Sequence, residues 1–166
     1  MLPSAVAKLA QEVITKNAEL GRTIVTAESC TGGLVAAALT EIPGSSAVLQ
    51  SGFVTYSNEA KIKTLKVGEE LIDTFGAVSV AVAWAMAQGA LKRSSADVAV
   101  AISGVAGPDG GTPSKPVGTV VFALAERGKD PEDMVADKIR FGEDKSRAEI
   151  RMAATLHALQ LLLPSP

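Results

Sequence analysis

The chain has 166 residues with 16 basic and 18 acidic side chains, a size that suits one compact domain with a net charge of −2. This balance speaks against nucleic acid as the main ligand, because nucleic-acid-binding domains present a basic surface. The one cysteine, Cys30, and the one histidine, His157, exclude an intrachain disulfide and provide no metal-ligand spacing, so we expect no bound metal.

The first part of the chain alternates helical and strand patterns. Apolar positions at helical spacing predict a helix over residues 4–20, which Gly21 ends. β-branched runs predict strands at 23–27 and 48–56, with an Ala-rich helix at 31–41 between them. Polar capping residues at 57–59 begin a helix that extends to about residue 65. Polar residues interrupt any N-terminal apolar run, so we expect a cytoplasmic protein without a membrane partner.

The second part of the chain predicts helices at 69–75, 79–92 and 146–163 and strands at 98–102, 117–125 and 137–141. A polar turn joins the last two strands, so these strands must be antiparallel. Strands mixed with helices indicate the α/β class. We therefore predict a three-layer α/β/α sandwich with a mixed, mostly parallel sheet of about five strands, formed by residues 1–166 as a single domain.

The helix predicted at 79–92 is apolar on every face. A helix of this kind must be buried all round. In a domain of this size we expect part of that burial to come from a subunit interface, which predicts a homo-oligomer.

The stretch Thr26-Ala27-Glu28-Ser29-Cys30-Thr31-Gly32-Gly33 lies between a predicted strand and a predicted helix. Backbone N–H groups at a helix start lack intrahelical partners and carry the positive end of the helix dipole. A hydroxyl at Ser29 would therefore sit beside donors for an oxyanion, near Thr31, Gly32 and Gly33. The same corner also suits a phosphate, and Ser29 or Thr31 also suits a plain N-cap.

Lys61 is the candidate base for Ser29, because His157 is far along a helix. Lys61 falls in the first turn of the helix that begins near residue 57, where the dipole and partial burial disfavour an ammonium. A neutral amine can take a serine proton. Tyr56 is a candidate to relay a proton or orient Lys61, and Cys30 is the rival nucleophile. A solvated Lys61 and a buried, unreactive Cys30 are the plain alternatives.

The residues Glu28 to Gly33 form one polar cluster and Tyr56 to Lys61 a second. A third polar cluster runs from Ser103 and Gly104 to Gly118, after the strand predicted at 98–102. Its glycines allow backbone N–H groups to approach a ligand closely, or they form a flexible turn. Lys145, Arg147 and Arg151 begin the last helix, where they suit a phosphate or a solvated surface. Sites in α/β sheets lie outside the carboxyl ends of strands, so we expect the three clusters to meet.

These blocks together resemble the CinA C-terminal family, the nicotinamide-nucleotide amidohydrolases. The matching segments, in order along nearly the whole chain, are TAESCTGG at 26–33, PGSS at 43–46, GFVTYSNEAK at 52–61, GAVS at 76–79, SGVAGPDGG at 103–111, KPVGTV at 115–120 and the R-x-x-x-R of Arg147 and Arg151. The resemblance implies hydrolysis of the carboxamide of nicotinamide mononucleotide, by a Ser–Lys mechanism without metal or cofactor. It maps that mechanism onto Ser29 and Lys61, with Tyr56 in support.

A small-molecule nucleotide is the partner that the resemblance implies. The residues that we expect to contact it are Glu28, Thr31, Gly32, Gly33, Ser46, Ser103, Gly104, Gly107 and Arg147. A nucleotide-binding or regulatory module without turnover is the alternative, since the same corners would serve it.

Overall fold

The structure, a computed structural model, describes residues 2–166. Six helices and five strands are present in that part of the chain. They are α1 (Ser4–Glu19), β1 (Ile24–Glu28), α2 (Leu34–Thr40), β2 (Leu49–Val54), α3 (Asn58–Leu65), α4 (Glu69–Phe75), α5 (Val80–Lys92), β3 (Val98–Gly104), β4 (Thr119–Glu126), β5 (Val135–Arg140) and α6 (Arg147–Leu161). Short 3₁₀ turns at Ser45–Ala47 and Pro131–Asp133 precede β2 and β5.

The five strands form one sheet in the order β2-β1-β3-β4-β5. β1 pairs in parallel with both β2 and β3, whereas β4 is antiparallel to its neighbours β3 and β5. Four of the five strands therefore point the same way, and the mixed α/β sheet predicted from the sequence is confirmed.

Two apolar cores lie on the two faces of this sheet. On one face α1, α2 and α6 pack against alternate strand residues such as Ile24, Val100 and Phe122. On the other face α3, α4 and α5 pack against the intervening residues, such as Val25 and Ala101. Side chains alternate across a strand, so covering both faces makes the central strands apolar throughout. The three-layer arrangement is confirmed.

Polar loops gather at one end of the sheet, where the carboxyl ends of three strands lie. Because β1, β2 and β3 are parallel, their carboxyl ends lie side by side. The three segments that leave these ends are residues 29–33, 55–57 and 105–118. The three polar clusters of the sequence thus lie at one edge of the sheet.

Helix α2 begins three residues later than the sequence predicts. Gly32 and Gly33 have φ angles of +60° and +104°, in the left-handed region that an α-helix cannot contain. Neither Ser29 nor Thr31 is its N-cap, since Gly33 occupies that position. The N-cap interpretation of Ser29 was therefore wrong, and the hydroxyl is free for another use.

Helix α5 is buried mainly by its own chain. Its apolar residues pack against β3 and β4 and against α3 and α4, and Gly89 lies against the backbone of Leu65. Val80 and Trp84 remain 40% and 38% exposed. The apolar composition of α5 is therefore explained without a subunit interface, and the homo-oligomer stays a prediction. None of the helices in residues 2–166 combines the length and apolarity needed to cross a membrane.

Candidate active site

Ser29 and Thr55 are held beside each other by hydrogen bonds that extend the sheet beyond its strands. The Ser29 N–H donates to the carbonyl of Ile102 in β3 at 2.9 Å. The Thr55 N–H donates to the carbonyl of Glu28 in β1, also at 2.9 Å. Both segments are therefore fixed by backbone bonds before any side chain takes part.

Lys61 reaches Ser29 from the first turn of α3. This helix begins where the Ser57 hydroxyl accepts the Ala60 N–H at 3.0 Å. Helical side chains lean toward the N-terminus, so the Lys61 side chain folds back over the preceding segment. Its Nζ lies 2.8 Å from Ser29 Oγ, 2.8 Å from the Thr55 carbonyl oxygen and 3.1 Å from that of Tyr56. The candidate nucleophile and base are therefore in direct contact.

The Lys61 amine is buried without a counter-ion. Lys61 is 1% exposed, and no carboxylate lies within ion-pairing distance of its Nζ in residues 2–166. Burial lowers the pKa of its ammonium from 10.5 to about 8, because desolvation disfavours the charged form. The Cys30 thiol acts weakly in the opposite direction. A substantial share of neutral amine is thus present near neutral pH.

Cys30, the rival nucleophile, is a buried thiol at 4% exposure. Burial raises its pKa to about 11, against smaller opposing effects of its own backbone N–H and of Lys61. Only the thiolate is a strong nucleophile. Cys30 therefore stays protonated where Lys61 titrates.

Glu28 does not pair with Lys61. Its carboxylate accepts hydrogen bonds from the Thr31 hydroxyl at 2.7 Å and from the backbone N–H groups of Val35 and Ala36 at 2.9 and 3.1 Å. A carboxylate at a helix N-terminus satisfies the free donors and complements the dipole. Glu28 is 0% exposed, so the structure contradicts the expectation that it contacts the substrate.

The turn after Ser29 uses one of the donors that the sequence offered to an oxyanion. The Gly32 N–H donates to the Ser29 carbonyl at 2.9 Å, which removes the Gly32 amide from the expected set. The N–H groups of Thr31 and Gly33, the other two expected donors, donate to no backbone carbonyl within residues 2–166.

Tyr56 contacts Lys61 through its backbone rather than through its phenol. The Tyr56 carbonyl oxygen lies 3.1 Å from Lys61 Nζ and 3.4 Å from Ser29 Oγ. Its hydroxyl, on a side chain that is largely exposed, accepts a hydrogen bond from Arg147 Nη2 at 2.7 Å. Arg147 Nη1 also donates to the Gly107 carbonyl at 2.7 Å. Arg147 thus joins the second and third clusters across the sheet edge.

A cleft of about 260 Å³ opens above the Ser29–Lys61 pair. Of the residues expected at the site, it is lined by Ser29, Tyr56, Lys61, Ser103, Gly104, Gly107 and Arg147. Thr31, Gly32 and Gly33 lie behind Ser29 and do not line it. Within residues 2–166, no group of His, Cys, Asp and Glu side chains is arranged to hold a metal ion.

Ser46 does not belong to this cleft. It is exposed in the turn Ser45–Ala47 before β2, whereas the cleft lies at the other end of that strand. Because β1 and β2 are parallel, a residue before β2 and a residue after β1 lie at opposite edges of the sheet. The structure therefore contradicts the expectation that Ser46 contacts the substrate within this chain.

The cleft also contains Cys30, the rival nucleophile, and residues that the sequence argument did not single out. These are Asn58, Ala77, Val78, Val105, Ala106, Asp109 and Gly110. Asp109 and Gly110 lie in the glycine-rich segment after β3. The position of that segment at a strand end could have indicated these two residues from the sequence. Ala77 and Val78 follow α4 rather than a strand, and strand-end reasoning gives no indication of them.

The fold and the cleft define an open α/β protein with a candidate Ser–Lys site at the carboxyl edge of its sheet. A family model described as the CinA C-terminal domain matches residues 6–165. The chain therefore belongs to the CinA C-terminal domain family.

Relatives carry several names. A nicotinamide-nucleotide amidohydrolase PncC of Escherichia coli is 49% identical over 98% of this chain and 95% of its own length. A putative competence-damage inducible protein of Symbiobacterium thermophilum is 54% identical over 97% of this chain. The chain spans about a third of the length of the first curated relatives it matches (37% and 31%). A crystal structure of the competence/damage inducible protein CihA from Agrobacterium tumefaciens has a TM-score of 0.93, at 49% identity over 98% of this chain and 96% of that chain.

Proposed function

We propose that the chain is an amidohydrolase that converts nicotinamide mononucleotide to nicotinate mononucleotide and ammonia, with residues 1–166 acting as one domain. The observation that carries the proposal is the buried Lys61 amine at 2.8 Å from the Ser29 hydroxyl oxygen. The name of the Escherichia coli relative, at 49% identity, supports the class of substrate.

The surroundings of Lys61 suit a base. As an ammonium, Lys61 directs its N–H groups at Ser29 Oγ and at the carbonyls of Thr55 and Tyr56. After it loses one proton, the two carbonyls can keep the remaining N–H groups. The lone pair then faces the Ser29 hydroxyl, which is the arrangement that proton removal requires.

The reaction proceeds in two stages. Ser29 Oγ bonds to the carboxamide carbon as its proton passes to Lys61 Nζ. Lys61 returns that proton to the departing nitrogen, the C–N bond breaks, and ammonia leaves an acyl ester on Ser29. Water then attacks the ester and gives one proton to Lys61, which passes it to Ser29 Oγ as the C–O bond breaks. The carboxylic acid that forms releases its remaining proton to solvent and leaves as the carboxylate.

The charges of the cleft suit a zwitterionic nucleotide. Arg147 supplies a guanidinium for the phosphate, and the glycine-rich segment with Ser103, Gly104 and Gly107 borders the sugar. Asp109 supplies a carboxylate for the cationic pyridinium ring.

Ammonia release from the mononucleotide tests this proposal. Ser29→Ala should lower the rate by about 10⁴-fold or more, because the nucleophile is lost. Ser95→Ala, at an exposed serine between α5 and β3, is the matched control and should keep the full rate. EDTA should change neither rate. Undiminished release from Ser29→Ala would exclude the proposal, whereas nucleotide binding in calorimetry without any ammonia release would favour a binding module.

A further inference from the structure

The two outer strands of the sheet, β2 and β5, differ in how they are protected against pairing with another strand. β5 carries charges at Asp137, Lys138 and Arg140, whereas β2 carries none. A charged side chain on an outer strand hinders further pairing, because the pairing would bury that charge. β2 lacks this protection, so its outer side is open to a further strand.

The backbone of β2 has hydrogen-bonding groups that face away from β1. The Thr55 N–H donates to the Glu28 carbonyl, so Thr55 faces β1. Backbone groups alternate in direction along an extended strand, which makes Gly52 and Val54 face outward. Within residues 2–166, β2 pairs with β1 alone. The outward groups of Gly52 and Val54 can therefore bind a strand of another molecule.

Charge is also scarce in the segment around β2. Residues 29–58 contain one charged side chain, Glu41, whereas the chain average of 20% would give about six in thirty positions. Nine of the thirty are buried, so burial alone does not account for the difference. Val54 and Tyr56 are 54% and 58% exposed. An exposed, apolar surface that is depleted of charge has the composition of a protein interface.

A second copy of this chain is the partner that fits the surface of β2. Two identical strands that pair antiparallel about a twofold axis present the same groups to each other, so β2 is complementary to itself. A surface without charges also meets its own copy without repulsion between like charges. Helix α5, by contrast, is buried mainly by its own chain and leaves less apolar surface to share.

Antiparallel pairing brings the start of one β2 beside the end of the other. With the twofold axis near Gly52, the segment that precedes β2 in one copy lies beside Tyr56 and Asn58 of its partner. Both of these residues line the cleft. Ser46 is exposed in the preceding segment, far from the cleft of its own chain. The pairing therefore carries Ser46 to the cleft of the other copy.

We propose that two copies of the chain pair antiparallel through β2, and that Ser46 of each copy completes the substrate site of the other. The Ser46 hydroxyl lies on the side of the cleft where Arg147 bonds the Tyr56 hydroxyl. Arg147 is the group assigned to the phosphate, so Ser46 donates a hydrogen bond to the same phosphate. The role of Ser46 rests on the proposed function, whereas the pairing of β2 does not.

Solution mass tests the pairing. The unaltered chain at micromolar concentration should sediment as a dimer of about 34 kDa, twice the 17.0 kDa of one copy. Val54→Lys adds a charge to β2 in each copy and should weaken the dimer by about 100-fold or more, which gives a monomer. Val135→Lys is the matched control on β5, because Val135 is 47% exposed and its replacement should leave the dimer intact.

Three outcomes of the mass measurements would overturn the inference. They are a monomeric unaltered chain, a dimer that Val54→Lys leaves intact, and a dimer that Val135→Lys separates. If Val54→Lys does not fold, Gln50→Lys, at an exposed position of the same strand, takes its place.

Subunit mixing tests the role of Ser46. Ser46→Ala should keep the dimer and raise KM for the mononucleotide about tenfold, with kcat within about twofold, because a hydrogen bond to a charged group is lost. An excess of Ser29→Ala copies then supplies an intact Ser46 without a nucleophile. Each mixed dimer has one complete site, so the mixture should recover the KM of the unaltered chain. Ser95→Ala should change neither mass nor KM.

A KM that stays high in the mixture would overturn the inference, since it would mean that Ser46 acts within its own chain. Unchanged KM in Ser46→Ala would overturn it as well. An unaltered chain that releases no ammonia would instead refute the proposed function and the role of Ser46 with it, while the mass measurements still decide the pairing of β2.

Discussion

Two buried charged groups lie at neighbouring strand ends, and their surroundings are opposite. Glu28 ends β1 with three hydrogen-bond donors on its carboxylate, at the positive end of α2. Lys61 follows β2 with two carbonyls and a hydroxyl around its amine, in the first turn of α3. The helix dipole favours the first charge and disfavours the second.

The charge of Glu28 stabilises the fold, whereas the amine of Lys61 is placed for proton transfer. Three hydrogen-bond donors hold the Glu28 carboxylate, so removing it should cost stability. Lys61 lacks a counter-ion, so its proton is held weakly and can be transferred. The variants below test this separation.

Lys61→Met should have the largest effect. Ammonia release should fall by about 10³-fold, because the general base is lost. The free energy of unfolding at pH 7 should change by no more than about 1 kcal/mol, since relief from burying an ammonium offsets the unpaired carbonyls. The control is Lys63→Met in the same helix, whose exposed amine pairs only with Glu59 and should affect neither quantity. Strong destabilisation by Lys61→Met would remove the distinction from Glu28.

Glu28→Gln should mainly change stability. The amide places donors against the N–H groups of Val35 and Ala36, so we expect the free energy of unfolding to fall by about 2 kcal/mol. Glu41→Gln, at the exposed far end of α2, is the matched control and should change it by less than about 0.5 kcal/mol. Denaturant melts measure both. A Glu28→Gln protein that is as stable as the unaltered chain would contradict the supporting role.

The pH dependence should follow Lys61. With a pKa of about 8, kcat/KM should rise about tenfold per unit below pH 8 and level off above it, because the neutral amine is the base. The unfolded chain binds more protons than the folded one between pH 8 and 10.5. The contribution of Lys61 to unfolding free energy is therefore least favourable below pH 8 and improves as the pH rises to 10.5. The unaltered chain should therefore gain stability relative to Lys61→Met across that window, and parallel curves would contradict the shifted pKa.

Cys30→Ala should have the smallest effect on catalysis. The thiol, with a pKa of about 11, is protonated where Lys61 titrates, so kcat should stay within about threefold. Thiol-specific reagents should react slowly with the folded protein for the same reason. A loss of activity comparable with that of Ser29→Ala would show that the thiol takes part.

The sequence predicts the layers of the fold well, because hydrophobic periodicity reflects burial directly. The apolar run in β3 and the stripe of α6 are where the pattern places them. The ring of His157, which the sequence argument set aside as the base, packs with its centroid 4.4 Å from that of Phe122. Sequence spacing says less about which partner a buried polar group finds.

Glu28 and Ser46 show the limits of the sequence argument. The position of Glu28 beside Ser29 suggests that Glu28 contacts the substrate. Its hydrogen-bond partners are set instead by Gly32 and Gly33, whose left-handed conformations make α2 begin later in the chain. Ser46 was expected to contact the substrate only because it lies in PGSS at 43–46, one of the segments that carry the family resemblance. The parallel sense of β1 and β2 would have excluded it from the cleft of its own chain, since a residue that precedes β2 lies at the far edge of the sheet.

Backbone hydrogen bonds from Ser29 to Ile102 and from Thr55 to Glu28 tie the segments after β1 and β2 to the sheet. Within residues 2–166, Gly107 and Asp109 lack such backbone bonds, so their part of the cleft can tolerate more changes in sequence. The reacting atoms are carried by the rigid framework, whereas Asp109 and Gly107 are carried by an irregular segment between β3 and β4. Under the proposed function, replacing that segment should shift hydrolysis toward other amides while the hydroxyl and the amine keep their spacing. Substrate choice would then be open to redesign without any change to the Ser29–Lys61 pair.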